Sequence, residues 1–452
     1  MTAPRSLLLG SLLLGFRSLR SLLSDGWDLL SYAVKRAAEV STNPPEPNAP
    51  WRAEVLSRDE IGNLAAELAQ QHKGATAIIP GRRLLHQYRH NRSTLERVYR
   101  NLSDAATKGE ALTAGAEWLL DNYHVVERHA AAIKKYLPIG YYKTLPKFTS
   151  GELKGFPRVY TLALEFIIHT DAVVQPQFAA HFIESYQKEL ELGSGEVWAF
   201  PIMLRFALLE NLSRLTREAE KELFSRREAF EVVDSVLGNE SRTGTEIMVD
   251  IAARLNERAS FFPHGALEMT KRLRARGRKA FLALQFLEEA LKERGCDPEE
   301  LLRSEDHNQA ARQISVGNTL ISLTAIDQID WRSWFEGVNV VHKILTRDPS
   351  GIYPKSDFES RDRLRHVVEE IAKLSPLPES EVATRGIELA SESAPPKDEH
   401  DTPALLTRHV GTFLTGKRRP ELEHSLSIKL SLFNLVTRTL RRWVVPTYLS
   451  LI

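Results

Sequence analysis

The 452 residues include a single cysteine, Cys296. One thiol excludes an intrachain disulfide framework and any cysteine-based zinc site, and it fits a reducing compartment. A surplus of either charge is also missing. With 60 Lys and Arg against 59 Asp and Glu, no global field draws the chain to nucleic acid or acidic polymers. Long apolar runs are absent too. LLLGSLLLGF (Leu7–Phe16) is interrupted by Arg17 and Arg20, short of the ~20 apolar residues of a membrane span. It also lacks the small-residue cleavage site of a signal peptide. Leu8, Leu12, Phe16, Leu19 and Leu23 share one side of a helix. That pattern predicts an amphipathic segment on a membrane surface or a partner, or an ordinary docking helix.

Nucleotide and catalytic signatures are equally scarce. GTFLTGKR (Gly411–Arg418) places Arg418 where a phosphate loop needs Ser or Thr for magnesium, and no apolar strand precedes it. GSG at Gly193–Gly195 is a turn before a helix. There is no G-x-S-x-G and no Asp-x-Asp. TLRRW (Thr439–Trp443) lacks the Gln of the glycosyltransferase Q-x-x-R-W signature. His124 and Glu127 lie one helical turn apart, but the second Glu-x-x-His copy of a di-iron bundle is missing. They read as a hydrogen-bonded pair at a bundle seam.

What the chain does have is helical periodicity almost throughout, with Gly and Pro falling between periodic stretches. The predicted class is all-α, a multi-helix bundle or an array of helical hairpins without substantial β-sheet. NPPEPNAP (Asn43–Pro50) is a stiff proline linker and SESAPPKDEHDTP (Ser391–Pro403) a polar one. They divide the chain into an amphipathic segment (1–41), a linker (42–50), a helical domain (51–390), a second linker (391–404) and a basic segment (405–452). The last carries Lys417, Arg418, Arg419, Lys429, Arg438, Arg441 and Arg442, then the apolar WVVPTYLSLI. This resembles the approach to a membrane span that is only beginning. The Arg-rich stretch from Arg82 to Arg100 reads as a solvated face, because interleaved aromatics and a basic domain are both missing.

The most regular stretch is Trp118–Glu210. Leu119, Tyr123, Val126, Ala130, Ile133 and Leu137 form one seam of a predicted helix, and Trp118, Asn122, Val125, His129, Ala132 and Tyr136 a second beside it. A second helix begins at Pro157, apolar almost all round, so Arg158 and Glu165 are expected to be paired. A third, from about Glu196, is expected to bury Leu204, Leu208, Leu212 and Leu215. Asn122, His124, Arg158, Glu165, Arg205 and Glu210 are expected to form a polar network between helices. Further on, Asp330–Leu345 reads as one helix. In Ser360–Ser375, Leu364, Val367, Ile371 and Leu374 are expected on one face, opposite an Arg365–Glu369 pair. The candidate binding residues are Trp118, Asn122, His124, Tyr141, Tyr142, Lys143, Arg158, Tyr160, Glu165 and Trp198. Trp118, Tyr141, Tyr142, Tyr160 and Trp198 offer rings that can stack on sugars or fill the core, with Glu165 or Glu196 beside them. No catalytic residue, metal ligand or cofactor is assigned.

The runs WLLDNYHVVE, LPIGYYKTLPKF, GFPRVYTLALEF and EVWAFPIMLRFALLENL resemble the N-terminal cytoplasmic region of bacterial cyclic β-1,2-glucan synthases. The likeness continues through SVGNTLISL, DWRSWFEGVNVV, RDPSGIYPKSDFESRDRLRHVVE and RHVGTFLTGKRRPELE, covering about Trp51–Glu423. The resemblance implies an inner-membrane enzyme that polymerises glucose from UDP-glucose and carries glycosyltransferase and phosphorylase-like modules. Neither module matches any part of this chain. It would therefore be a non-catalytic helical module at the cytoplasmic face of the bacterial inner membrane. Its partners would be those modules, on the same or an adjacent polypeptide, and no nucleic acid. The alternatives are a carbohydrate-binding or glycan-processing helical domain and a free-standing helical scaffold.

Overall fold

The computed structural model of the chain describes residues 54–237, 264–276, 280–293, 297–393 and 402–428. The amphipathic segment 1–41, the linker 42–50, Cys296, most of the second linker and the apolar end lie outside the described residues. Among the described residues there are nineteen helices and one two-stranded ladder. The fold is all-α. None of these helices is long and apolar enough to cross a membrane.

The chain divides into two compact units, each assembled from separated segments. The first unit holds β1 (Thr76–Ala77), α2 (Arg83–Thr107), α3 (Ala114–Asp121), α4 (Tyr123–Tyr136), α5 (Ile139–Thr144), β2 (Lys147–Phe148) and α6 (Arg158–His169). It continues through the part of α8 (Ser194–Leu237) beyond Pro201, α9 (His264–Ala275), α10 (Phe281–Glu293) and α11 (Pro298–Ile326). The second unit holds α1 (Arg58–His72), α7 (Pro176–Glu189), the start of α8, α12 (Trp331–Val338), α13 (Val340–Leu345) and α14 (Ile352–Lys355). It ends with α15 (Phe358–Ala372), α16 (Glu379–Glu392), α17 (Thr402–Arg408), α18 (Val410–Leu414) and α19 (Arg419–Ser425).

In the first unit, α6 is buried along all twelve of its residues. Pro157 precedes it in an extended conformation and sets its entry angle. The first predicted seam is buried at Leu119, Tyr123, Val126, Ala130, Ile133 and Leu137. The second is buried at Val125 and His129 but open at both ends, where Trp118 and Tyr136 are exposed. The expected single helix is broken at Asn122. That residue leaves helical geometry, and both its backbone N–H and its side-chain amide donate to the Trp118 carbonyl, at 3.1 and 2.9 Å. An asparagine that bonds backbone locally favours a helix end over its interior. Leu204, Leu208, Leu212 and Leu215 are all buried on α8. The turn GYYKTLPKF is closed from inside by Lys147. This fully buried lysine donates to the carbonyls of Tyr142 (3.0 Å) and Leu145 (2.9 Å), and burial lowers its pKa.

In the second unit, α1 packs along α7, and a separate core gathers Val341, Leu345, Tyr353, Val368, Ile371, Val382, Phe413 and Leu422. The expected helix over 330–345 is likewise broken by an asparagine. Asn339 caps α13 by accepting from the His342 N–H at 2.7 Å, and its amide donates to Ser194 Oγ at 3.0 Å. The connector RDPSGIYPKSDF folds around buried Asp348. Its carboxylate accepts from His409 Nδ1 (2.8 Å), Ser350 Oγ (2.6 Å) and the backbone N–H groups of Tyr353 (3.1 Å) and Val410 (3.0 Å). Gly351 supplies the left-handed residue (φ 65°) that the turn requires. Burial alone would raise the Asp348 pKa, but these hydrogen bonds outweigh it and hold the carboxyl below its usual range. Replacing Asp348 with Ala strands two buried backbone donors and His409. It is expected to cost about 3 kcal/mol or more, read as a lower urea midpoint.

Candidate functional site

In the first unit, α2, α4 and α8 diverge around a cleft of about 470 Å³. Its floor is Leu95, Val126, Ala130, Phe206 and Leu209, and its rim carries Arg92, Glu96, Glu127, Lys134 and Lys135. Tyr88 and Tyr123 supply the walls. The Tyr88 hydroxyl donates to the Ala130 carbonyl at 2.7 Å, and its ring leans on Phe206 with centroids 5.4 Å apart. Tyr123 is held by a stack on Tyr99, with centroids 3.9 Å apart. Burial first, then the carboxylates of Glu96 and Glu127, pushes the Tyr123 phenol up to about 12. Two carboxylates from different helices therefore flank one phenol. Glu96 accepts from Arg92 Nε at 3.0 Å. Glu127 and Lys134, two turns apart on α4, make no ion pair among the described residues.

A second groove of the same unit, about 500 Å³, is lined by Trp118, Asn122, Gly317, Leu320, Ile321, Thr324, Ala325 and Gln328. Trp118 is 43% exposed and Ile321 66% exposed. The indole lies so close over Gly317 that no Cβ fits there.

The second unit concentrates charge instead. Glu336 accepts from Arg361 through both Nε (2.8 Å) and a terminal nitrogen (2.7 Å), and from Arg365 at 2.8 Å. Burial alone would raise the Glu336 pKa, but the two arginines outweigh it and hold the carboxyl below its usual range. Arg365 is 1% exposed, donates to Asp362 at 3.1 Å, and sits over the rings of Phe335 and Phe358. The expected surface pair of Arg365 with Glu369 is thus not formed, and Glu369 accepts from Lys373. The reason is tertiary, because α12 brings Glu336 to the side of α15 that carries Arg365. Leu374, expected on the buried face, is 40% exposed beyond the end of the helix. Arg418 and Arg419 of the basic segment pair with Glu421 and Glu423.

Of the candidate residues, the structure brings Trp118 and Asn122 into one groove. Tyr142 and Tyr160 are fully buried, Arg158 is buried, Tyr141 is half-buried and Lys143 is exposed. His124 and Glu127 are both exposed, so the expected seam pair gives way to two outward side chains. Trp198 is partly exposed in the second unit, its ring edge-on to Phe335 at 5.0 Å. Glu165 is fully buried and neither of its oxygens is hydrogen-bonded; His169 Nε2 lies 3.6 Å away. The expected polar network resolves into separate clusters. Glu210 accepts from the Tyr160 hydroxyl at 2.8 Å and from Gln87 Nε2 at 3.3 Å. Arg205 donates to His129 Nδ1 at 3.3 Å and to Asp327 at 3.1 Å. The cleft residues Tyr88, Glu96, Tyr123, Glu127 and Lys134 were missed as a group. The available signal was the seven-residue spacing of Glu127 and Lys134 at the edge of the first seam. Among the described residues, no group of three His, Cys, Asp or Glu side chains could hold a metal ion.

The fold and these clusters define an all-helical protein with ion pairs between its helices and, among the described residues, one fully buried carboxylate, Glu165, that accepts no hydrogen bond. No family model matches the chain. Over 395 residues it is 31% identical to the cyclic beta-(1,2)-glucan synthase NdvB of Rhizobium meliloti (strain 1021). That match takes in 86% of this chain and 14% of the relative's length. The chain is therefore related to the cyclic β-(1,2)-glucan synthase family.

Two outcomes are expected. Gly317→Ala must displace the Trp118 ring, shifting tryptophan emission and costing about 1–3 kcal/mol by thermal unfolding. Stability is also expected to fall with acid. Burial, outweighing nearby carboxylates, lowers His129 and His342 to about 4. The unfolded chain, with histidines near ~6.5, then binds the extra protons between those values. Urea midpoints should decline from about pH 6.5 towards about 4, and less steeply in His129→Gln and His342→Gln.

Proposed function

We propose that the chain is a non-catalytic helical module of a cyclic β-1,2-glucan synthase. In this reading it organises or regulates a glycosyltransferase and a phosphorylase-like module, on the same or an adjacent polypeptide, at the cytoplasmic face of the inner membrane. One observation carries the reading. The match extends over most of this chain but only 14% of the related synthase, as expected of one part of a larger assembly. The ion pairs between separate elements agree with it, since Glu336 engages Arg361 and Arg365, and Arg205 engages Asp327. Groups so engaged hold helices in register.

Two measurements test the proposal together. The purified 452-residue chain supplied with UDP-glucose is expected to form no glucan. Deleting its coding region in the native organism is expected to abolish or shorten the cyclic glucan made by membranes, and re-expression to restore it. Glucan made by the isolated chain, or unchanged synthesis after deletion, overturns the reading.

A further inference from the structure

We propose that the cleft between α2, α4 and α8 binds a short segment of β-1,2-linked glucan. The choice of glucan rests on the functional reading above; the choice of a neutral sugar rests on the cleft itself. Its volume, about 470 Å³, falls within the range of small-ligand pockets. Its floor and walls are aliphatic and aromatic, suited to the C–H faces of pyranose rings. The rim carries both signs of charge from two helices. An apolar ligand would strand those charges, and an anion would meet Glu96 and Glu127 beside Tyr123.

A polyhydroxy ligand satisfies both signs at once. Its hydroxyls donate to a carboxylate and accept from an ammonium group, and each such bond is charge-assisted. Glu127 and Lys134 are the groups for this work. Both are exposed, both line the cleft, and neither has an ion-pair partner among the described residues. Arg92 already holds Glu96 at 3.0 Å, and the Tyr88 hydroxyl is committed to Ala130. Those two contacts fix the wall before a ligand arrives, which lowers the cost of ordering it on binding.

The test is calorimetric titration of the full chain with short linear β-1,2-gluco-oligosaccharides, beside α-1,4-linked ones of equal length. The native chain should bind the β-1,2 series, and Glu127→Gln and Lys134→Met should each weaken it about tenfold, the equivalent of one charge-assisted hydrogen bond. Both positions are on the surface, so neither change should shift the melting temperature. His124→Ala, exposed on the same helix and outside the cleft, should bind as the native chain does. The proposal is overturned by no binding at millimolar β-1,2 oligosaccharide, by equal binding of the α-1,4 series, or by unchanged affinity in both cleft variants. This assay reads binding to the isolated chain, whereas the deletion reads synthesis in cells, so the two failures are distinguishable.

Discussion

A helix buried on every side has no surface on which to leave a polar group, and α6 sets that constraint for the first unit. Its Tyr160 reaches Glu210 on α8, and the same carboxylate takes Gln87 from α2. Burial raises the pKa of Glu210, and its neighbours Tyr160 and Arg214 only partly offset this. Such a group is tolerable only while each contact persists, so it locks the three helices in one register. Glu165 lies deeper still, with His169 as its neighbour. The second unit meets the same constraint with full charges, where Glu336 is shared by Arg361 and Arg365, the latter lying over two phenylalanine rings.

These interior commitments leave the first unit's chemistry at its surface. Along α4, the same four-and-three spacing that buries Val126, Ala130 and Ile133 leaves Glu127 and Lys134 at the rim of a cleft. The helix thus serves core and surface with adjacent stripes. The Trp118 groove arises differently. Gly317 leaves room for the benzo edge of the indole against α11, while the helix breaks at Asn122.

Much of the fold was legible in the chain. The all-α class, the helix that follows Pro157, the leucines of α8 and the first seam all follow from spacing and from proline position. The helix breaks at Asn122 and Asn339 were not, because asparagine in a periodic run weakens a helix without dictating its end. Arg365 shows the limit most clearly. Three residues before Val368 and four before Glu369, it reads as a surface partner, yet it is buried because α12 delivers Glu336 to it.

The sequence by itself determined which segments are helical and which stripe of each faces inward, since both depend on local backbone preference and apolar period. It also established the relationship to the glucan synthases, through ordered blocks along the chain. Only the tertiary structure decided which charges meet. It set Glu210 against Tyr160, Glu336 between two arginines, and Glu96 opposite Glu127 beside one phenol. Those pairings join residues far apart in the chain, and hydrogen bonds act over a few ångströms, a distance that only packed helices define.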